Sequence, residues 1–244
     1  MHLLRYPSFS VYRGDFMYET KFFEGSKNPL NVVHSISHDI KFYRNNPDYF
    51  DPCGIIVFCG AQGSGKTLSA VKLCKKILKE YPKAQICSNL AIHGLDRDVI
   101  PFIDYEQIHT LTNDIKGIVF LIDEIHVLWN SLESKNVSIS DMAAFSQMRK
   151  DRRVIIGTSQ VYSRIAKPIR EQLHLVIKCR TYAKYIQMNQ LIDPNPDGST
   201  GEHDGQLDGE LLKNYWFFHS PEDYDSYDTF NKISRVARGG VPGV

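Results

Sequence analysis

The chain has 244 residues, 42% of them hydrophobic and 23% charged, with a formal net charge of +1. That length and balance suit one large α/β domain, or a domain with an appendage, able to bury its own core. They exclude a uniformly basic nucleic-acid coat, while leaving room for a locally basic channel.

The opening "MHLLRYPSFSVYRGD" lacks the apolar stretch of a secretory signal. No apolar run reaches the roughly 20 residues of a membrane helix. Both absences predict a cytoplasmic chain with no membrane segment of its own. Residues 1–50 are aromatic and mixed, without a clear period, and read as a covering segment rather than a domain. The five cysteines (Cys53, Cys59, Cys74, Cys87, Cys179) form no CxxC pair. Cys59 and Cys74 lie within apolar patterns, as reduced core residues do.

Residues 51–192 alternate short apolar runs with helical patterns, the signature of a parallel sheet with helices on its faces. "GIIVFC", from Gly54 to Cys59, predicts a buried strand, and "GAQGSGKT", from Gly60 to Thr67, follows it. This is GxxxxGK[ST] complete, in the order strand, glycine loop, helix. The helix "LSAVKLCKKILKEY" places Ala70, Val71, Cys74, Ile77, Leu78 and Tyr81 on one face, with Lys72, Lys75, Lys76 and Lys79 opposite. Glycines let backbone amides converge on an anion, and the helix N-terminus adds partial positive charge. Gly60, Gln62, Gly63, Ser64, Gly65, Lys66 and Thr67 are therefore expected to hold a nucleotide. Lys66 would meet the β- and γ-phosphates of ATP, and the Thr67 hydroxyl would bind Mg²⁺.

"KAQICSNLAIHGL" predicts a further strand between the loop helix and the next apolar run. In "GIVFLIDEIHVLW" a continuous run from Ile118 to Ile122 suits a strand buried on both faces and ends on Asp123 and Glu124. Acids there fall at the carboxyl edge of the sheet, where α/β proteins bind ligands. Asp123 is the expected metal partner, and Glu124 the base for a water attacking the γ-phosphate. A phosphotransferase lacks need of that second acid. His126 is set aside as structural.

"SISDMAAFSQMRKDRR" predicts a helix with Ser140 as its N-cap and Met142, Ala143, Phe145, Met148 and Arg149 near one side. "VIIGTSQ" follows as a core strand beside the loop strand, so Gln160 would point between the phosphates and the acid pair. Its amide is suited to orient the attacking water or to sense the γ-phosphate. Arg149, Arg152 and Arg153 sit where helix hands over to strand. In a ring of subunits that edge faces the neighbour's nucleotide, and Arg149 is the first candidate for an arginine finger. "NSLESKNVSIS", from Asn130 to Ser140, is a candidate pore segment. "LVIKCRTYAKYIQM" and "NYWFFH" read as two strands of a hairpin whose long tip is the Gly/Asp/Pro-rich loop from Asp193 to Glu210. Residues 193–244 thus comprise hairpin loop, closing strand and a basic tail ending "SRVARGGVPGV".

On "GAQGSGKT", "LIDEIH", the arginine-rich "SQMRKDRR" leading into "VIIGTSQ", and "SRIAKPIREQ", the chain resembles the HerA/FtsK-type translocating ATPases over roughly residues 54–190. More narrowly it resembles the zonula occludens toxin and filamentous-phage assembly ATPase domain, and the DNA-packaging ATPases of viruses. "YDSYDTF" is similar to the segment that closes such domains. The resemblance implies an α/β, RecA-like P-loop NTPase of the additional-strand, catalytic-Glu class, with a mainly parallel central sheet followed here by a C-terminal β-hairpin and tail. It implies hydrolysis of Mg-ATP in a homo-oligomeric ring of five or six subunits acting on DNA, double-stranded in packaging motors, with a viral portal or capsid protein as neighbour. Filamentous-phage assembly proteins continue into a membrane helix, which this chain lacks. Viral genome packaging is therefore the first expectation, and virion export or plasmid transfer, acting mainly on protein partners, the second.

Overall fold

The computed structural model describes residues 30–132, 139–195, 202–203, 206–207 and 209–228. It divides into two compact units, Met1–Tyr49 and Phe50–Val244. In the first, helix α1 (Leu30–Asn45) ends where the Asn46 amide returns to the Phe42 carbonyl at 3.0 Å. Phe42, Tyr43 and Tyr49 form an edge-to-face ring cluster there.

The second unit is built from apolar runs that only a doubly covered sheet can bury. In chain order it contains β1 (Gly54–Cys59), α2 (Lys66–Glu80), β2 (Gln85–Ser88), β3 (Ile100–Pro101), α3 (Gln107–Thr110), β4 (Ile118–Ile122), α4 (Ile139–Gln147) and β5 (Arg153–Ser159). There follow α5 (Lys167–Arg170), β6 (Leu173–Tyr182), β7 (Ile186–Asp193), the two-residue strands β8 (Glu202–His203) and β9 (Gln206–Leu207), β10 (Glu210–Phe218) and α6 (Pro221–Tyr224). Eight strands make one sheet in the order β10-β7-β6-β1-β5-β4-β2-β3, with β6 to β3 parallel and β7 and β10 antiparallel. This is the expected mainly parallel, RecA-like architecture. The strand inserted in space between the loop strand β1 and the acid strand β4 is β5, whereas β2 lies outside β4.

Alternation along the strands feeds two cores. Ile56, Phe58, Leu121 and Ile156 face Val71, Cys74 and Leu78 of α2. Ile55, Val57, Phe120 and Ile155 face Trp129, Phe145 and Met148. Each such fully buried side chain contributes about 1.5–3 kcal/mol. Cys59, Cys74, Cys87 and Cys179 are buried in these layers and unpaired, and burial pushes each thiol up to about 12.

Three local expectations are corrected. Ser140 is inside α4, whose first residue is Ile139. Of the side chains assigned to one side of that helix, Phe145 and Met148 are buried with Asp141, while Ala143 and Arg149 are exposed. A carboxylate takes a core-facing place because His109 Nε2 meets Asp141 Oδ1 at 3.0 Å. Third, "LVIKCRTYAKYIQM" is not one strand. It folds back at a turn closed by the Tyr185 N–H to the Tyr182 carbonyl at 3.1 Å. Ala183 and Lys184 both take left-handed backbone there, the primed geometry that matches strand twist. The result is three antiparallel strands instead of two. Of the candidate pore segment, residues 133–138 lie outside the described residues, as does the tail from residue 229.

Candidate nucleotide site

Parallel registration brings the carboxyl ends of β1, β5, β4 and β2 to one edge: Cys59 pairs with Ser159, Ile122 with Gly157, and Ser88 with Leu121. Residues immediately after these strands, namely Gly60, Gln160, Asp123 and Asn89, therefore converge. That edge is where the glycine loop begins.

The loop turns into α2 through Gly65, which caps the helix at φ 75° and ψ 21°, in the left-handed region. A side chain is excluded there twice over, because a Cβ would collide with Gln187 Oε1. Lys66 is only 7% exposed, and its ammonium folds back to the Ala61 carbonyl at 2.9 Å, spanning the loop. The Ser64 Oγ is buried without a hydrogen-bond partner, an orphan polar atom within the cradle.

Asp123 and Glu124 follow β4, as read from the sequence, and the structure joins them to this loop. Thr67 donates to Asp123 Oδ1 at 3.0 Å. Thr158 donates to the same oxygen at 2.6 Å and accepts the Glu124 N–H at 3.0 Å. Asn89 clamps the Asp123 backbone, accepting its N–H at 2.8 Å and donating to its carbonyl at 3.0 Å. So restrained, Glu124 adopts φ 55° and ψ 48°, left-handed and costly for a residue with a side chain. Its Oε2 lies 3.2 Å from His126 Nε2, and His126 Nδ1 lies 3.3 Å from Ser159 Oγ. Burial is the main influence lowering the His126 pKa, assisted by Arg164 and Lys66 and opposed by Glu124 and Asp123.

Among the described residues, no group of three or more His, Cys, Asp or Glu side chains is placed to hold a metal. A hydroxyl and a carboxylate within hydrogen-bond distance, Thr67 and Asp123, are the donors that suit Mg²⁺, which takes few protein oxygens beside phosphate and water.

Gln160 follows β5 beside the loop, where the Gly60 N–H reaches the Ser159 carbonyl at 3.3 Å. Its Oε1 accepts from Arg164 at 3.3 Å. The arginines around the start of β5 are elsewhere. Arg153 pairs with Ile118 at the start of β4, so it lies a full strand away from the loop, about 20 Å at the usual rise per residue. It is buried, and its terminal nitrogens donate to the Ile108 and His109 carbonyls at 2.8 and 3.0 Å, which spends it on the end of α3. Arg149 is exposed at the same edge, and with Arg152 its charge reaches Cys53. It does not approach the loop of its own chain.

Sequence reading missed Thr158 and Asn89 and set His126 aside. The available signals were a threonine two positions before Gln160, an asparagine directly after β2, and the histidine in "DEIH".

Residues 56–181 match the ATPase family associated with various cellular activities (AAA). No curated protein matches the chain. Among solved structures, it is similar to the N-terminal domain of zonular occludens toxin from Neisseria meningitidis, at 14% identity over 72% of this chain and 99% of that one, TM-score 0.47. It is also similar to the genome packaging NTPase B204 of Sulfolobus turreted icosahedral virus 2, at 15% identity over 64% and 99%, TM-score 0.46. The flagellar accessory protein FlaH of Methanocaldococcus jannaschii matches at 15% identity over 67% and 84%, TM-score 0.41.

Proposed function

Because the chain belongs to the AAA family of P-loop ATPases, we propose that it is an ATP-driven DNA translocase, a viral genome-packaging motor in first place, working as a ring on Mg-ATP. That it binds nucleotide and hydrolyses ATP follows from family membership and needs no proposal. The observation carrying the mechanism is the link Thr67–Asp123–Thr158–Glu124, which ties the phosphate loop to the acid pair through one shared carboxylate oxygen and one hydroxyl.

Lys66, whose ammonium donates to the Ala61 carbonyl, would swing to the β- and γ-phosphates when nucleotide binds. Thr67 and Asp123 would hold Mg²⁺, whose contribution is to neutralise charge on those phosphates. Glu124 takes the proton of the attacking water, with His126 fixing its carboxylate from one side. Gln160 orients that water, itself steadied by Arg164. Arg149 lies beyond reach of its own loop, so it serves the adjacent subunit's nucleotide.

The DNA assignment is supported by the resemblance carried on "SQMRKDRR", "VIIGTSQ" and "SRIAKPIREQ". No helix among the described residues is long and apolar enough to cross a membrane. ATP turnover measured across double-stranded DNA concentrations at low and high salt tests it. The rate should rise with DNA, and the DNA concentration required should rise steeply with salt as phosphate contacts lose their counterion-release gain. A rate indifferent to DNA would transfer the chain to the second expectation, an ATPase for virion assembly, export or plasmid transfer acting on protein partners.

A further inference from the structure

The antiparallel strands beyond β6 approach the nucleotide loop from behind, and one buried amide makes the contact. Gln187, in β7, is 0% exposed. Its Nε2 donates to the Ser64 carbonyl at 3.0 Å and to Asn189 Oδ1 at 2.8 Å. Its Oε1 accepts from the Thr181 hydroxyl at 2.9 Å and lies 3.3 Å from His219 Nε2. Asn189, also fully buried, continues the chain by donating to Ser69 Oγ in the first turn of α2 at 3.1 Å. The same Oε1 occupies the space that a Cβ on Gly65 would need. Gln187 and Asn189 lie beyond residue 181, where the family match ends.

We propose that Gln187 is a positioning residue for the phosphate loop: it holds the Ser64 carbonyl back so that Gly65 keeps its left-handed turn and the amides opening α2 face the phosphates. Only a side chain with both donor and acceptor can do this. Ser64 needs a donor, while Thr181 and His219 meet an acceptor. A leucine supplies neither, and an ionised glutamate supplies no donor. The amide thereby couples β6, β7 and the His219 segment to nucleotide affinity. This rests on the loop being the nucleotide cradle, and it adds a residue that the loop motif does not contain.

The test is to measure binding of a fluorescent ATP analogue, ATP turnover and thermal unfolding for wild type, Gln187→Leu, Gln187→Glu and Asn189→Leu. Losing the Ser64 contact should weaken nucleotide binding about tenfold in both Gln187 variants, the effect of one unsatisfied buried partner. KM should rise in parallel, with kcat at saturating ATP within about threefold of wild type. Asn189→Leu serves as the control. It disturbs the same buried network without touching Ser64, so it should lower the unfolding temperature comparably while leaving nucleotide affinity near wild type. Unchanged affinity in both Gln187 variants, or an equal loss in Asn189→Leu, would overturn the proposal in favour of a merely structural amide. If the Gln187 variants do not fold, exchange of the Gln187 side-chain amide protons in wild type decides. ADP should slow it, and exchange indifferent to ADP contradicts the proposal. Wild type that binds no nucleotide would instead sink the cradle itself.

Discussion

Glu124 holds the most consequential backbone angle in the site. Its left-handed conformation is imposed by Asn89 and Thr158 on either side of the Asp123–Glu124 peptide, and it brings the carboxylate against His126. Glu124→Gln should keep ATP bound while slowing turnover roughly 100-fold or more, the usual worth of a positioned base; single-turnover hydrolysis with filter binding would show it. Turnover near wild type would place the base elsewhere. Thr158→Val keeps the shape and removes the hydroxyl shared by Asp123 and Glu124. It should cost about tenfold in kcat and raise the Mg²⁺ concentration for half-maximal rate, whereas Thr158→Ser should leave both near wild type. A Mg²⁺ titration of all three proteins reads this out. At this scale Lys66 with Thr67, and Asp123 with Glu124, could be picked out as candidates, because each pair lies in a contiguous run of recognisable residue types. Thr158, Asn89 and Gln187 were not. Their partners lie 35, 34 and 123 positions away. Hydrophobic periodicity tells which strand is buried, but not which hydroxyl or amide meets which neighbour.

At the scale of elements, the parallel strands could be read because burial on both faces demands continuous apolar runs, as in Ile118–Ile122 and in residues 154–156. The turn at Ala183 and Lys184 could not. Neither glycine nor asparagine marks it, and only pairing between β6 and β7 forces two ordinary residues into left-handed backbone. The arginines around the start of β5 also divide by element. Arg153 belongs to α3, whose last carbonyls it caps, and not to any catalytic edge. Arg153→Met should therefore lower the unfolding temperature by several degrees, through loss of about 1–3 kcal/mol of buried hydrogen bonding, with turnover per folded molecule retained. Calorimetry paired with active-site titration separates the two effects. Undiminished stability with lost turnover would return Arg153 to the list of fingers.

For the whole molecule, the central claim is that one subunit's nucleotide is completed by the next. The phosphate loop, Asp123, Glu124 and Gln160 share the carboxyl edge of the sheet, while Arg149 stands at the opposite edge. No side chain spans that strand length, so Arg149 could act on a phosphate only from another copy, as we propose, whereas Arg164 lies beside Gln160 in the same chain. Where such fingers act, they contribute about 10³–10⁵-fold in rate. Arg149→Ala should fold and bind ATP yet hydrolyse poorly, and Lys66→Ala should be inactive through loss of nucleotide. Mixing the two inactive proteins is the most direct measurement. Interfaces that pair an intact phosphate loop with an intact Arg149 reappear in mixed rings, and ATP turnover should recover to a fraction set by the mixing ratio. Mixed rings that demonstrably form and restore no turnover would contradict the shared site.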